Sequence, residues 1–533
     1  MPYPRLRALL LAPALLLLLA PLHSQTLDDI LRYSEVNPLG TARSLGTANS
    51  MAAIGADWTA AQGNPAALAQ FRSSEVTATF GGLLRGTSNA TIAFSDPSID
   101  GDAGQFSDVD FRAALPQVAL VLTRTPIASR WTQLNFGFGV SQTNRFEENI
   151  AFDGDTPGSV TDLFLEEANG FYVDPAFTVG ELSSGQFPAA LAYQAGVLIP
   201  SDETGSPEFY FTDYDDFRFG PEDPGPLVNK RGKIERRGFQ SNFDFTVAGN
   251  FEDRLQIGAT IGIVNSSYEE LNRVVETDQT GVIPVFDRID YRRTFSVEGT
   301  GVQGRVGASY RFSQAFRLGL AYHSPSLVNY TDNFSSSVDY RYTLDTGPTG
   351  DDATTTNADI IEYKIISPSQ YRLSVGSVIG RSGFVSGELN YINYAGAKVR
   401  FGSEVEDGDM LEDDYDDFVA DNLQSAVQVR AGGEVNIDPL QVRLGVEYLG
   451  APLPSEKAAY GVSAGVGFRQ NRLAIDLGYK LSLRPDRVYR PYTIESNATL
   501  PADEQFPQPE VTYTPTLSMF ALTAGWKLTR VGR

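Results

Sequence analysis

The chain of 533 residues contains no cysteine. Disulfides, thiol nucleophiles and cysteine-ligated metals are excluded together. Histidine is almost as scarce, with only His23 and His323. A hydrolase built on an imidazole base would have to use His323, and it needs a nucleophile beside that ring. Ser324 is the neighbour, but on a strand it points to the other face, so no enzyme is expected. Gly461, Gly465 and Gly467 are not followed by a helix and do not read as a nucleotide loop; no cofactor and no metal are expected. Long apolar runs are missing as well. The stretch from Ala8 to Leu22 is shorter than the roughly 18 residues a membrane-spanning helix needs, and Pro13 and Pro21 break it. Basic charge is also in deficit: 42 Lys and Arg stand against 66 Asp and Glu, a formal charge of -24. Such acidity argues against a nucleic-acid partner.

What is present begins with an address. Arg5 and Arg7 precede the apolar run, and Ser24-Gln25 follow it. That is the pattern of a secretion signal cut near Ser24, and we read 1–24 as a signal peptide. The acidity is concentrated in blocks. Glu404, Glu406, Asp407 and Asp409 run into Glu412, Asp413, Asp414, Asp416 and Asp417; Asp213, Asp215, Asp216, Glu222 and Asp223 form a second block. Solvated loops and divalent-cation binding near lipopolysaccharide are both open for these blocks, but no fixed ligand spacing marks a cation site.

The body of the chain alternates with period two. In Leu517 to Leu528 the residues Phe520, Leu522, Ala524, Trp526 and Leu528 share one face, and small or polar residues share the other. A strand with lipid on one side and a lumen on the other needs this alternation. Gln240 to Asn250 and Leu255 to Ile263 repeat it around Phe251-Glu252-Asp253-Arg254. Further pairs turn at Ser313-Gln314-Ala315, Gly380-Arg381-Ser382-Gly383, Ile437-Asp438-Pro439 and Gln470-Asn471-Arg472. About fourteen strands result, with short turns on one side and long loops on the other. Open edges cannot be satisfied in lipid, so the sheet must close. Tyr310, Tyr322, Tyr391, Tyr448, Tyr479 and Trp526 near strand ends suit an aromatic girdle. The fold class expected is all-β: a transmembrane antiparallel β-barrel over 73–533.

Two segments do not alternate. The longest loop, 149–232, carries a capping-box signal at Ser159 to Asp162 with Leu163 and Phe164 behind it, followed by Phe171 and Tyr172. Its apolar residues suit either a landing surface for a greasy ligand or packing of the loop on itself. Residues 25–72 are rich in Gly, Ala and Ser and contain Gly40, Gly46, Gly55 and Gly63. They form either a periplasmic tail or a plug in a lumen that is wide enough to require one.

These residues resemble a family. Pro38 to Gly46, followed by Asn64-Pro65-Ala66-Ala67-Leu68, resembles the hatch of the FadL/TodX-like outer-membrane transporters, with its Asn-Pro-Ala motif. Phe136 to Val140, Arg317 to Pro325, Gly465 to Arg469 and Ala474 to Tyr479 resemble later strands of that family in the same order. The tail from Lys527 to Arg533 departs from barrels that end on an aromatic residue. The resemblance implies a barrel of about fourteen strands in the cell outer membrane, with an N-terminal hatch inside the lumen that contains Asn64, Pro65 and Ala66. It implies passive uptake of long-chain fatty acids or other hydrophobic small molecules. It also implies a kink at Gly137 and Gly139 that opens the wall to lipid; small residues making room for the hatch is the other reading of those glycines. Contacts with outer-membrane lipid and lipopolysaccharide, and a monomer, are expected. A structural or adhesive barrel with acidic loops is the alternative.

Strand parity assigns the lumen side chains. Asp244, Arg305, Arg317, His323, Arg372, Glu388, Arg430, Glu434, Arg443, Glu447, Asp476 and Lys480 lie opposite the apolar faces. An ion-pair lattice that holds the hatch is one expectation. The other is that Arg305, Arg317, Arg372, Arg430 or Arg443 takes a ligand carboxylate with its bidentate fork. Leu163, Phe164, Phe171 and Tyr172 are the expected capture surface.

Overall fold

The computed structural model describes residues 27–94 apart from 28 and 36, then 106–170, 188–201, 209–214, 226–344, 346–355, 361–402, 408–494 and 508–528. The expected signal peptide, Phe171 and Tyr172, Glu404, Glu406 and Asp407 of the first acidic block, all of the second block but Asp213, and the extreme C-terminal tail lie outside these residues.

Fourteen strands close into one antiparallel barrel. They are β1 (Glu75–Phe94), β2 (Phe106–Arg124), β3 (Trp131–Arg145, continued by Glu148–Thr156), β4 (Val228–Phe251), β5 (Leu255–Thr277), β6 (Phe286–Arg311) and β7 (Phe316–His323 and Leu327–Leu344). Then come β8 (Gly347–Thr355, Ile361–Ile366 and Gln370–Ile379), β9 (Gly383–Ile392 and Lys398–Phe401), β10 (Ala426–Ile437) and β11 (Leu440–Leu449). The last are β12 (Ala459–Gln470), β13 (Leu473–Leu483 and Arg487–Tyr489) and β14 (Pro509–Lys527). Each pairs with its neighbour, and β14 pairs with β1 from Lys527 opposite Glu75 to Pro509 opposite Phe94, which closes the ring. Closure follows from the solvent: lipid offers no partner for an edge strand's N–H and C=O groups.

Alternation sets which face looks out. Phe243, Phe245 and Val247 of β4 are exposed, while Asn242, Asp244 and Thr246 between them are buried. On β11, Leu444 is 67% exposed and its neighbour Arg443 is 0%. The apolar belt is therefore on the outside and the charged residues are in the lumen. Tight turns join the strands at one end. Glu252 and Asp253, and Asn471, take left-handed φ of 50°, 55° and 56° in two of them, a region in which Asn and Asp are tolerated.

The hatch sits inside. Helix α1 (Ala42–Leu45) is capped by Thr41, whose hydroxyl accepts the Ser44 N–H. Helix α2 (Trp58–Gly63) is capped by Asp57 through the Thr59 and Ala60 N–H groups. A 3-10 turn, Pro65–Gln70, follows with Asn64 as its cap. Its bonds to the wall run round the ring. Ala42 N donates to Thr523 on β14 at 2.7 Å, Ala48 N to Ser463 on β12 at 2.9 Å, and Asn135 Nδ2 on β3 donates to the carbonyl of Leu68 at 2.7 Å. Such contacts on opposite walls rule out a free periplasmic tail for 37–71.

Candidate functional site

The Asn-Pro-Ala motif has a physical basis. Asn64 accepts the Ala66 N–H at 3.0 Å, and proline takes the first position of the turn, where no N–H is needed. The Asn64 amide then donates to the wall, to the carbonyls of Ala308 at 3.3 Å and Leu320 at 3.4 Å. The motif is a cap and a bolt at once, fixed to β6 and β7. His323 is bound beside it, its Nε2 within 2.9 Å of the Gly63 carbonyl.

Above the hatch lies a small polar chamber of about 60 Å³, lined by Arg305, Arg372, Arg430 and His323 among others. Three of the five predicted arginines thus meet there. Arg305 is ion-paired to Asp244 and donates to the Gln62 carbonyl of the hatch at 3.2 Å. Arg372 pairs with Glu388 at 2.9 Å, and Arg430 stands 3.7 Å from both Glu388 and Glu447. Each of the three keeps a buried Nε–H without a hydrogen-bond partner. The chamber has room for about two water volumes, so it admits a carboxylate but no acyl chain.

The other two arginines serve the hatch. Arg443 is fully buried and pairs with Glu434 and Asp476, each at 2.7 Å. Glu434 in turn holds Arg43 of the hatch at 2.9 Å. Arg317 donates to the Ile54 carbonyl at 2.9 Å. Hatch and wall are therefore joined by a buried ion pair, Arg43 to Glu434, backed by Arg443, and such a pair is costly to break from one side.

An apolar sleeve continues the lumen above the chamber. Tyr33 and Ile30, from helical residues 29–34, pack with Phe146, Val264, Tyr268, Val297 and Tyr330. Tyr33 stacks on Tyr330 with ring centroids 4.3 Å apart. The order along β5 is hatch, charged chamber, sleeve, loops. Along that strand, Asp244 and Arg305 neighbour Gly262, Val264 and Tyr268 join the sleeve, and Val274 joins the loop core.

Two predicted sites require correction. Gly137 and Gly139 do not open the wall. The ladder is unbroken there on both sides, to β2 and to β4. A Cβ at either position would lie 2.5 or 2.6 Å from the Trp58 ring of the hatch, so the glycines make room for it, and Trp58 Nε1 donates to Ser141 at 3.0 Å. Phe164 is not a landing surface. It lies in helix α3 (Thr161–Gly170), is fully buried, and meets Tyr291 edge-on at 5.2 Å. Leu163 packs against the same loop core. Glu276 explains why the loop folds inward: its buried carboxylate accepts the Ser159 hydroxyl and the Val160 N–H at the start of α3.

The wall does break, further along the same strand. β2 and β3 pair from Arg124 opposite Leu134 to Gln117 opposite Ser141, and no pairing joins them beyond that point among the described residues. Both strands are irregular there. Leu115 and Pro116 together oppose Phe80 of β1, because Thr79 pairs with Gln117 and Gly81 with Ala114. Proline offers no ladder N–H. On β3, Thr143 is an extra residue between Gln142 and Asn144 in the register with β4. Beyond the break β3 leans inward on β1, where Thr87 donates to the Asn149 carbonyl at 2.8 Å. Leu39, Leu83, Leu517 and Met519 form an apolar cluster in the lumen beside this seam.

Of the acidic blocks, Asp413, Asp414 and Asp417 lie on helix α4 (Gly408–Asn422), where Asp416 pairs with Lys398 and Arg400. Among the described residues no cluster of acids could hold a metal.

A closed barrel with an apolar outer belt, a charged lumen and an inner plug is a transmembrane barrel of the outer-membrane type. No family model matches the chain, and no curated protein matches it. Among solved structures it resembles a Pseudomonas aeruginosa FadL homologue at 13% identity and a TM-score of 0.51, over 93% of this chain and 99% of that one. It also aligns with the CymD monoaromatic hydrocarbon channel at 11% identity and a TM-score of 0.44, over 93% and 100% of the two chains. The Pseudomonas putida toluene transporter TodX aligns at 11% identity and a TM-score of 0.42, over 88% and 94%. The fold is that of the FadL-like barrels.

Proposed function

We propose that this protein is an outer-membrane channel for the passive uptake of hydrophobic molecules, with long-chain fatty acids as the preferred class. The observation that carries the reading is the seam between β2 and β3, an unpaired stretch of wall beside an apolar lumen cluster, in a barrel otherwise plugged by its hatch. A plugged lumen obstructs polar solutes, whereas a side opening suits a molecule that prefers lipid. The fatty-acid preference rests on the chamber. The Nε–H groups of Arg305, Arg372 and Arg430 can take a carboxylate, while the sleeve above accepts the chain once helical residues 29–34 give way. Release runs through the seam near Pro116 and Thr143, not at Gly137 and Gly139. One barrel suffices for this route, and no energy source is needed. The fold similarity to a FadL homologue agrees with the plugged-barrel architecture that this reading uses.

The test is uptake of labelled oleate by cells that express the barrel, normalised to folded barrel on gels. Uptake equal to that of cells without it removes the transport reading and favours the structural one. A photo-activatable fatty acid then maps the route. Adducts at Leu83, Leu517 or Met519 are expected; adducts confined to Ile54 and Arg317 would place the exit through the hatch.

A further inference from the structure

The outer wall carries a cationic patch that transport does not use. On β4 the outward residues are apolar as far as Phe239, and the next ones on that face are Arg237, Glu235, Lys233 and Arg231. The strand has left the apolar belt and entered the headgroup layer. Lys233 lies directly opposite Arg273 on β5, and Arg273 directly opposite Arg292 on β6. Three cations thus stand in one row across three neighbouring strands. Like charges directly opposite one another on a sheet are destabilising, so a row of three calls for an anion. The acids nearest the row are shared between cations. Asp153 pairs with Arg231, Glu235 with Lys233 and Arg237, and Asp290 with Arg273 and Arg288. Arg292 has no ion pair among the described residues. Glu235 and Asp290 are each shared between two cations, Glu269 lies opposite Arg237 at the margin of the patch, and Asp155 lies beside Asp153 opposite Asn229, so the centre of the row is the least compensated part. Asp339, opposite Asp290, is engaged by Arg341 at the margin and does not close the gap.

The same place is hollow. A depression of about 580 Å³ has Phe106, Ala151, Phe152 and Val275 in its lining, with Arg231, Lys233, Arg273 and Arg288 as its cations and Asp153, paired to Arg231, as its carboxylate. An apolar surface with a few fixed polar groups, in this size range, is how ligand sites are built. The hollow faces away from the lumen, beside the free side of β3.

We infer that this hollow is a binding site for a phosphate-bearing lipid of the outer leaflet, with its phosphate on Lys233 and Arg273 at the hollow, Arg292 next in the row beyond its lining, and an apolar part over Phe106 and Val275. Phosphate is the group that matches several converging cations, because it carries more than one negative charge and three acceptor oxygens, and arginine meets it bidentately. A fatty acid brings one charge, fewer than the row presents. The site is independent of the transport reading.

The test uses the whole barrel in detergent, with lipid A as the probe and native mass spectrometry and retention on gel filtration as readouts. Comparison ligands are dephosphorylated lipid A, inorganic phosphate and laurate. The wild-type barrel should retain lipid A at least tenfold better than its dephosphorylated form. The triple variant Lys233→Ala, Arg273→Ala, Arg292→Ala should lose that difference while keeping its heat-modifiability. If the triple variant fails to fold, Arg292→Gln alone, which breaks no ion pair, should still weaken retention severalfold. Equal retention of the two lipid forms would overturn the site. So would unchanged retention in a folded variant. Displacement of lipid A by inorganic phosphate alone would reduce the site to a bare anion site, and displacement by laurate at equal concentration would assign it to a carboxylate amphiphile; either result refutes the lipid proposal.

Discussion

Replacing Gly139 with valine separates a glycine that serves the hatch from one that serves the wall. A Cβ at Gly139 would lie 2.6 Å from Cζ2 of Trp58 and 2.7 Å from Cε2. The strand cannot retreat easily, because β2 and β4 hold it from both sides. The ring must move instead, yet Trp58 is only 2% exposed and is tied to Ser141 at 3.0 Å. Overpacking of this kind costs roughly 1–3 kcal/mol, and a lost hydrogen bond adds about 0.5–1.5 kcal/mol. A loss of about 2–4 kcal/mol in hatch docking shifts the docked-to-undocked ratio roughly 30- to 1,000-fold, since about 1.4 kcal/mol is tenfold. The wall keeps its ladder, so heat-modifiability on gels should not change. Conductance to small ions in planar bilayers should rise, and protease should cut within 37–71. Adding Trp58→Leu to Gly139→Val should restore part of the closure by removing the clashing ring. A valine variant with wild-type conductance and full protection of the hatch would refute this account. Loss of oleate uptake in that same variant would return the glycine to the wall.

Other outcomes follow from lumen, belt and loops. Leu444→Arg places a charge on the lipid face in the middle of β11 and should destabilise the barrel by about 2–4 kcal/mol in denaturant unfolding from vesicles. Arg443→Leu, one residue away, leaves Glu434 and Asp476 buried without it and should cost about 3–5 kcal/mol; the loss should appear as easier proteolysis of the hatch, because Glu434 also holds Arg43. The loop between β5 and β6 should loosen in acid. Partial burial pushes Asp278 upward, but hydrogen bonds from Ile283, Thr280 and Gly281 outweigh it and hold the carboxyl below its ordinary value. A carboxyl lowered by folding stabilises fully above the ordinary aspartate value of about 3.9 and loses that effect as pH falls through the folded value. Hydrogen exchange across 278–285 should therefore speed up below about pH 4, and Asp278→Asn should exchange fast at every pH.

The wall was legible in the sequence because its rule is simple. Period-two alternation placed Leu444 outside and Arg443 inside; the other predicted lumen charges from Asp244 to Lys480 are buried, except Arg317, which is half-buried and donates to the Ile54 carbonyl of the hatch. Parity is a local property, and lipid enforces it residue by residue. What the sequence did not disclose were partners brought together by closure. Nothing near Gly137 and Gly139 in the chain marks Trp58 as the group they accommodate, though one of only three tryptophans in a segment of small residues was a signal. Phe164 looked like exposed apolar surface because the loop core that buries it comes from strands and loops far along the chain.

The seam was readable in part. Pro116 interrupts an alternating strand, and a proline inside a strand marks a bulge or an edge. Here it marks both. Its missing N–H and the extra residue Thr143 on the next strand stop the ladder at the same height. A closed barrel in lipid cannot leave backbone groups unsatisfied, so β3 turns inward beyond the break: its other edge stays paired with β4, and on the freed side the Thr143 carbonyl accepts the Asn37 N–H of the hatch at 2.9 Å and the Asn149 carbonyl accepts the Thr87 hydroxyl of β1. The departure that frees one side of β3 thus also supplies its partners. That is why an opening can exist here without unfolding the wall, and why it lies beyond the glycines and not at them.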